Sequence, residues 1–275
     1  MDYLTPKIPL WHHPKHAVDP ANDFTPYLVP YLIEDGKPHD AIVIFPGGGY
    51  VEKCTDHEGI QIVNAFRPLG YHTFIVDYRC GMNAYPYPAP QEDAVRAMRI
   101  IRGNAAKWKV NPNRIAAIGF SAGGHLCASL GVWHDRIQAN AGDEYDAIPA
   151  RPDAIILCYP VISAHCAHEG TFMNLMNAPK CPPLQEMLKF SCDEFVRPDS
   201  PPAFIWTTAA DQIVPAENSI RFAQACQKNG VPYSLHIYPF GPHGLAAGTM
   251  EEFSEIKTWI PLCRDFLNVV WKSNT

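Results

Sequence analysis

A serine stands between small residues in Gly119-Phe120-Ser121-Ala122-Gly123, with an apolar run, Arg114 to Ile118, before it and a helical stretch, Gly124 to Leu130, after it. A serine on a sharp strand-to-helix turn occupies strained backbone, and small residues two before and two after it keep the neighbouring strand and helix from clashing. The start of a helix at that serine also brings backbone N–H groups to the place where an oxygen under attack acquires negative charge. These residue types in this order predict a nucleophilic serine suited to acyl transfer. The competing reading of the same residues is a plain glycine-rich turn.

A second segment, Pro46-Gly47-Gly48-Gly49-Tyr50, follows directly on the apolar run Ala41 to Phe45. Consecutive glycines let backbone approach a ligand closely and turn N–H groups inward, which is what an oxyanion hole requires. No Lys-Ser or Lys-Thr follows at P-loop spacing, and GxGxxG is absent, so neither phosphate nor dinucleotide binding is indicated. A nucleophilic serine needs a base and a group to orient that base, which in a strand-to-helix elbow arrangement follow in the order acid, then histidine. Asp211 lies in Ala209-Ala210-Asp211-Gln212-Ile213-Val214-Pro215 after the apolar run Ala203 to Thr208, and His243 lies in Gly241-Pro242-His243-Gly244 after the last run. Each is thereby expected at the carboxyl end of a strand, where open parallel sheets bind their ligands.

Other histidines and aspartates compete less well. His236 falls inside a strand pattern and His125 on the helix behind the elbow. His12, His13 and His16 are spaced like a metal cluster, but beside Trp11 and Pro14 near the terminus they read as a solvated segment, so no metal site is expected. His165 and His168 can line the site without serving as base, and Asp153, Asp193 and Asp199 follow no strong late strand. Among the aromatic residues Tyr50, Tyr78, Tyr85, Tyr87 and Trp133, only Tyr50 is expected beside the substrate.

The elements that must hold these groups are legible as short β-branched runs: Ala41 to Phe45, Thr73 to Asp77, Ile115 to Gly119, Ala154 to Tyr159, Ala203 to Thr208 and Ser234 to Tyr238, with an earlier strand between Tyr27 and Ile33. Runs that stay apolar rather than alternating suit strands covered on both faces. Ala94, Met98, Ile101 and Ala105 form one stripe of a helix over 91–107. Phe253, Ile256, Ile260, Cys263, Leu267 and Val270, spaced by 3, 4, 3, 4 and 3, predict a final core-facing helix kinked at Pro261. The fold class is α/β: a doubly wound, mostly parallel sheet with helices on both faces. Residues 163–200, with Pro179, Pro182, Pro183 and Pro198 and no plausible strand, read as a short lid-like insertion that shapes the site, the competing reading being a plain surface excursion. Without an internal repeat or a linker, 1–275 is expected to be a single domain.

The balance of 22 Lys+Arg against 28 Asp+Glu gives a formal charge of −6, which argues against nucleic acid as partner. The apolar runs are strand-sized, well short of the ~20 residues that cross a bilayer, and no signal-peptide pattern opens the chain, so a cytoplasmic protein with no membrane partner is expected. Nine cysteines form no CxxC pair, which predicts reduced thiols instead of disulfides or a zinc site.

With these residues in view, the chain resembles the α/β hydrolases, within the branch of small bacterial acetylxylan-esterase-like and feruloyl-esterase-like enzymes related to hormone-sensitive-lipase-like carboxylesterases. The resemblance runs through Ile42 to Tyr50, Asp77-Tyr78-Arg79, Pro88 to Asp93, Gly119 to Gly124, Ala167-His168-Glu169-Gly170, Ser200 to Ala203, Asp211 to Pro215 and His243-Gly244. Hormone-sensitive-lipase-like enzymes usually carry histidine where this chain has Pro46, whereas the acetylxylan-esterase-like branch commonly shows this proline. The resemblance implies Ser121 as nucleophile, His243 as general base and then acid, Asp211 as orienter, and backbone N–H groups of Ala122, Gly48 and Gly49 as oxyanion hole. It further implies a serine ester hydrolase acting on short acyl groups, acetyl on a sugar or xylo-oligosaccharide, without metal or organic cofactor. Two other readings keep the scaffold: amide cleavage on the same triad, and a non-catalytic binding protein. Relatives of the fold occur as monomers and larger assemblies, so a homo-oligomer is among the expectations.

Overall fold

In the computed structural model, residues 6–11, 24–81, 85–166 and 168–272 are described. His12, His13 and His16 lie outside them. The strands β1 (Ile8–Pro9), β2 (Tyr27–Tyr31), β3 (His39–Phe45), β4 (Tyr71–Asp77), β5 (Val110–Phe120), β6 (Ala154–Cys158), β7 (Ala203–Thr208) and β8 (Tyr233–Tyr238) form one sheet in the order β1-β2-β4-β3-β5-β6-β7-β8. β2 runs antiparallel to β1 and to β4, and the remaining neighbours are parallel.

The unbroken apolar runs are explained by a core on each side of this sheet. Ala41, Val43 and Phe45 of β3 face one core and Ile42 and Ile44 the other, and the same division separates Ile155 and Leu157 from Ala154, Ile156 and Cys158 in β6. The first core is closed by α2 (Ala89–Gly103), α3 (Ser121–Trp133) and α5 (Glu217–Lys228), the second by α1 (Gln61–Phe66) and α6 (Trp259–Lys272). A further helix, α4 (Glu169–Met176), lies between β6 and β7.

Three local expectations are corrected. The helix over 91–107 breaks at Asn104, whose side-chain amide donates to the Ile100 carbonyl at 2.9 Å; a separate turn, Ala105–Trp108, follows. Pro261 causes no kink, because it falls in the first turn of α6, where its missing N–H has no intrahelical carbonyl to meet. The irregularity instead lies at Phe253 (φ −121°, ψ 41°), inside the 3-10 stretch Glu251–Thr258. The described residues of 163–200 hold α4 and short helical turns and no strand. No described helix is long and apolar enough to cross a membrane.

Candidate active site

β5 ends at Phe120 and α3 begins at Ser121, which is forced to φ 53°. The glycines around it are sterically required. A Cβ at Gly119 would lie 2.1 Å from the Gly123 carbonyl oxygen, and one at Gly123 would lie 2.2 Å from the Phe45 oxygen of the neighbouring strand.

Asp211 and His243 come to this serine from the loops after β7 and β8. His243 Nε2 lies 2.9 Å from Ser121 Oγ, and its Nδ1 lies 2.6 Å from Asp211 Oδ2. A carboxylate only accepts, so Nδ1 carries the proton and Nε2 is left to accept from the serine hydroxyl. The other carboxylate oxygen, Oδ1, accepts the N–H groups of Ile213 and Val214, each at 2.9 Å. Burial works against the charge on Asp211, but the bonds from His243, Val214 and Ile213 outweigh it and hold the carboxyl below its ordinary value. An imidazole held in this tautomer can take the serine proton, and the ion pair that results is compensated by a carboxylate only 1% exposed.

The glycine loop is fixed on every carbonyl. Tyr78 Oη donates to Pro46 O at 2.6 Å, Cys54 N to Gly47 O at 3.0 Å, Val51 N to Gly48 O at 3.0 Å, Asn174 Nδ2 to Gly49 O at 2.8 Å and Gly81 N to Tyr50 O at 2.9 Å. The Gly47 N–H donates to Glu58 Oε2 at 2.6 Å. The N–H groups of Gly48, Gly49 and Ala122 donate to no other described residue. The loop adjoins Ser121, since a Cβ at Gly47 would sit 3.0 Å from Ser121 Cβ. Donors in this state, preorganised and unspent, are what a developing oxyanion needs.

Tyr50 departs from its expected place. It is 2% exposed, and its hydroxyl lies 2.9 Å from His125 Nδ1, which leaves almost none of its surface to a ligand. His125 Nε2 donates to the Phe190 carbonyl at 2.7 Å, so Nδ1 is the acceptor and Tyr50 the donor. Burial pushes the His125 imidazole down to about 4. Tyr87 and Trp133 line a separate cavity of about 200 Å³ with Phe190 and Phe195. Trp133 ends α3, at 1.5 Å per residue roughly 18 Å along the helix from Ser121.

The competing acids are spent in ion pairs: Asp153 with Arg102 at 3.0 Å, Asp193 with Arg221 at 3.0 Å and Asp199 with Arg197 at 2.7 Å. His236 lies in β8 against Ser234 Oγ, and His165 sits on the surface 3.8 Å from Glu194. His168 is half-buried, its Nδ1 2.9 Å from Thr171 Oγ1. Burial lowers its ionisation, as does nearby His243, while Asp211 opposes both. The described residues contain no group of three or more His, Cys, Asp or Glu placed to hold a metal ion.

Sequence reasoning missed Glu58, Tyr159 and Asn174. Glu58 precedes an apolar helical run and looks there like any solvated first-turn acid. Tyr159 gave a faint signal, as the residue just past β6 on the edge where the other site groups emerge.

Comparison with known proteins gives matches over most of the chain. The family described as BD-FAE matches residues 31–226. The crystal structure of an acetyl ester-xyloside bifunctional hydrolase from Caldicellulosiruptor lactoaceticus superimposes with TM-score 0.89 and 38% identity, covering 97% of this chain and 96% of that one. Endo-1,4-beta-xylanase B of Butyrivibrio fibrisolvens is 36% identical over 89% of this chain, and an acetylxylan esterase of Xylanibacter ruminicola is 31% identical over 88%. The chain spans only 38% and 48% of the lengths of those two curated relatives.

Proposed function

The chain belongs to the BD-FAE family, and from that premise we propose that it is a serine carboxylic-ester hydrolase removing short acyl groups, acetyl foremost, from sugars or xylo-oligosaccharides. The observation that carries the reading is the placement of His243 between Ser121 at 2.9 Å and Asp211 at 2.6 Å. The sugar-ester substrate is supported by the names of the relatives, an acetylxylan esterase and an acetyl ester-xyloside hydrolase.

Ser121 Oγ attacks the acyl carbon as its proton passes to His243 Nε2, and the oxyanion forms against the N–H groups of Gly48, Gly49 and Ala122. Collapse breaks the ester bond, His243 returns the proton to the leaving alcohol, and an acyl-Ser121 remains. Water then attacks the acyl carbon as its proton passes to His243, the acyl–Ser121 bond breaks to release the acid, and His243 returns the proton to Ser121 Oγ. The insertion bears on specificity, since its Asn174 fixes Gly49 and its His168 lies within electrostatic reach of His243. A reducing, cytoplasmic setting fits the nine free thiols and favours small oligosaccharides over polymer.

Acetate release from acetylated xylo-oligosaccharides by the purified protein tests the reading. Turnover by the wild type and none by Ser121→Ala is expected. Absence of turnover in the wild type while a fluorophosphonate still labels Ser121 would replace the sugar ester with another acyl substrate.

A further inference from the structure

A single buried carboxyl joins the two loops that flank the nucleophile. Glu58 is only 4% exposed and sits in the helical turn Thr55–Ile60, ahead of α1. Its Oε2 accepts the Gly47 N–H at 2.6 Å, and its Oε1 accepts the Tyr159 hydroxyl at 2.8 Å. That hydroxyl oxygen accepts the Ala246 N–H at 3.0 Å, three residues beyond His243. The Tyr159 ring packs edge-on against the His243 imidazole, with centroids 4.9 Å apart. Tyr159 itself holds φ 37°, a left-handed conformation that costs a bulky residue energy and persists only where its surroundings over-determine it.

We propose that Glu58 is a positioning residue of the proposed hydrolase, holding the glycine loop with one oxygen and, through Tyr159, the histidine loop with the other. The inference rests on the esterase reading given above. Both carboxylate oxygens act as acceptors, so one rigid group fixes the distance between the oxyanion donors and the base. Burial pushes the Glu58 carboxyl up, and the bonds from Tyr159 and Gly47 work against that shift. Keeping an ionisable group in so dry a place is costly, and an apolar side chain of like size would pack there without that cost. Two loop contacts made by one carboxylate explain why the site holds it.

A glutamine can accept at only one end, so Glu58→Gln must leave either the Gly47 N–H or the Tyr159 hydroxyl hydrogen without its acceptor, even where the new amide donates to the Tyr159 oxygen. Tyr159→Phe removes the bridge to Ala246 and keeps both the ring and the carboxylate. Steady-state kinetics on an aryl acetate are expected to give a kcat lowered roughly 10- to 100-fold in Glu58→Gln and about 10-fold in Tyr159→Phe, with KM within about twofold. The double variant is expected to fall no further than Glu58→Gln alone, because both changes break one bridge. A kcat within about twofold of wild type, a loss confined to KM, or losses that multiply in the double variant would overturn the proposal. Should Glu58→Gln not yield folded protein, Tyr159→Phe decides by the same kcat and KM criteria. Turnover by wild type and its loss in Ser121→Ala, measured alongside, keep the esterase reading separate from the role of Glu58.

Discussion

His243 has one nitrogen committed to Asp211 and the other to Ser121, so its tautomer depends on the carboxylate. Asp211→Asn puts an amide against Nδ1 that can donate and so favours the wrong tautomer. Aryl acetate turnover in that variant is expected to drop by about 10³- to 10⁴-fold, with near-native far-UV circular dichroism. Burial holds the pKa of the His125 imidazole down at about 4. In the unfolded chain a histidine takes up its proton near 6.5, so the unfolded state binds the extra proton first as pH falls. Stability from this site is full above about 6.5 and is lost on the way down to about 4. Urea unfolding is expected to show His125 costing about 2 kcal/mol between pH 7 and pH 5. His125→Gln, whose amide offers Tyr50 an acceptor and the Phe190 carbonyl a donor, is expected to remove that share of the pH dependence. An unchanged pH dependence in the variant would contradict the assignment.

The strands were readable because helices cover both faces of the sheet, so β3, β5, β6 and β7 carry no polar alternation to confuse with a surface strand. Ser121 and Asp211 were readable for a related reason, since each follows such a run, while His243 follows the half-exposed edge strand β8 and emerges on the same edge. β1 was not, since two residues, Ile8–Pro9, leave no pattern to detect. The break at Asn104 was hidden because Ala105 continues the apolar stripe and is buried with it, even though the helix has ended. Glu58 and Tyr159 were hidden more deeply, for their meaning lies in contacts between segments 101 residues apart. The final helix offers a direct check on reading proline by position. Pro261→Ala is expected to shift unfolding free energy by less than about 1 kcal/mol, whereas a proline within a helix interior changes it by about 3 kcal/mol. Thermal melting decides, and a large stabilisation by alanine would mean that Pro261 strains α6 after all.

The sheet of eight strands with helices on both faces is an α/β-hydrolase fold, and the 0.89 TM-score against the Caldicellulosiruptor lactoaceticus hydrolase covers nearly the whole of both chains. Within this frame the proposed mechanism routes each proton and charge through side chains and backbone amides, so turnover is expected to survive dialysis against a chelator unchanged. A loss of rate restored by a divalent ion would contradict that route. The insertion between β6 and β7 supplies Asn174 to the glycine loop and His168 to the surroundings of His243. The decisive measurement is the initial rate on aryl esters of rising acyl length, from acetate to octanoate, for wild type beside Ser121→Ala. The account predicts hydrolysis that falls steeply beyond acetate or propionate and vanishes in the variant. Turnover by Ser121→Ala close to that of wild type would contradict it.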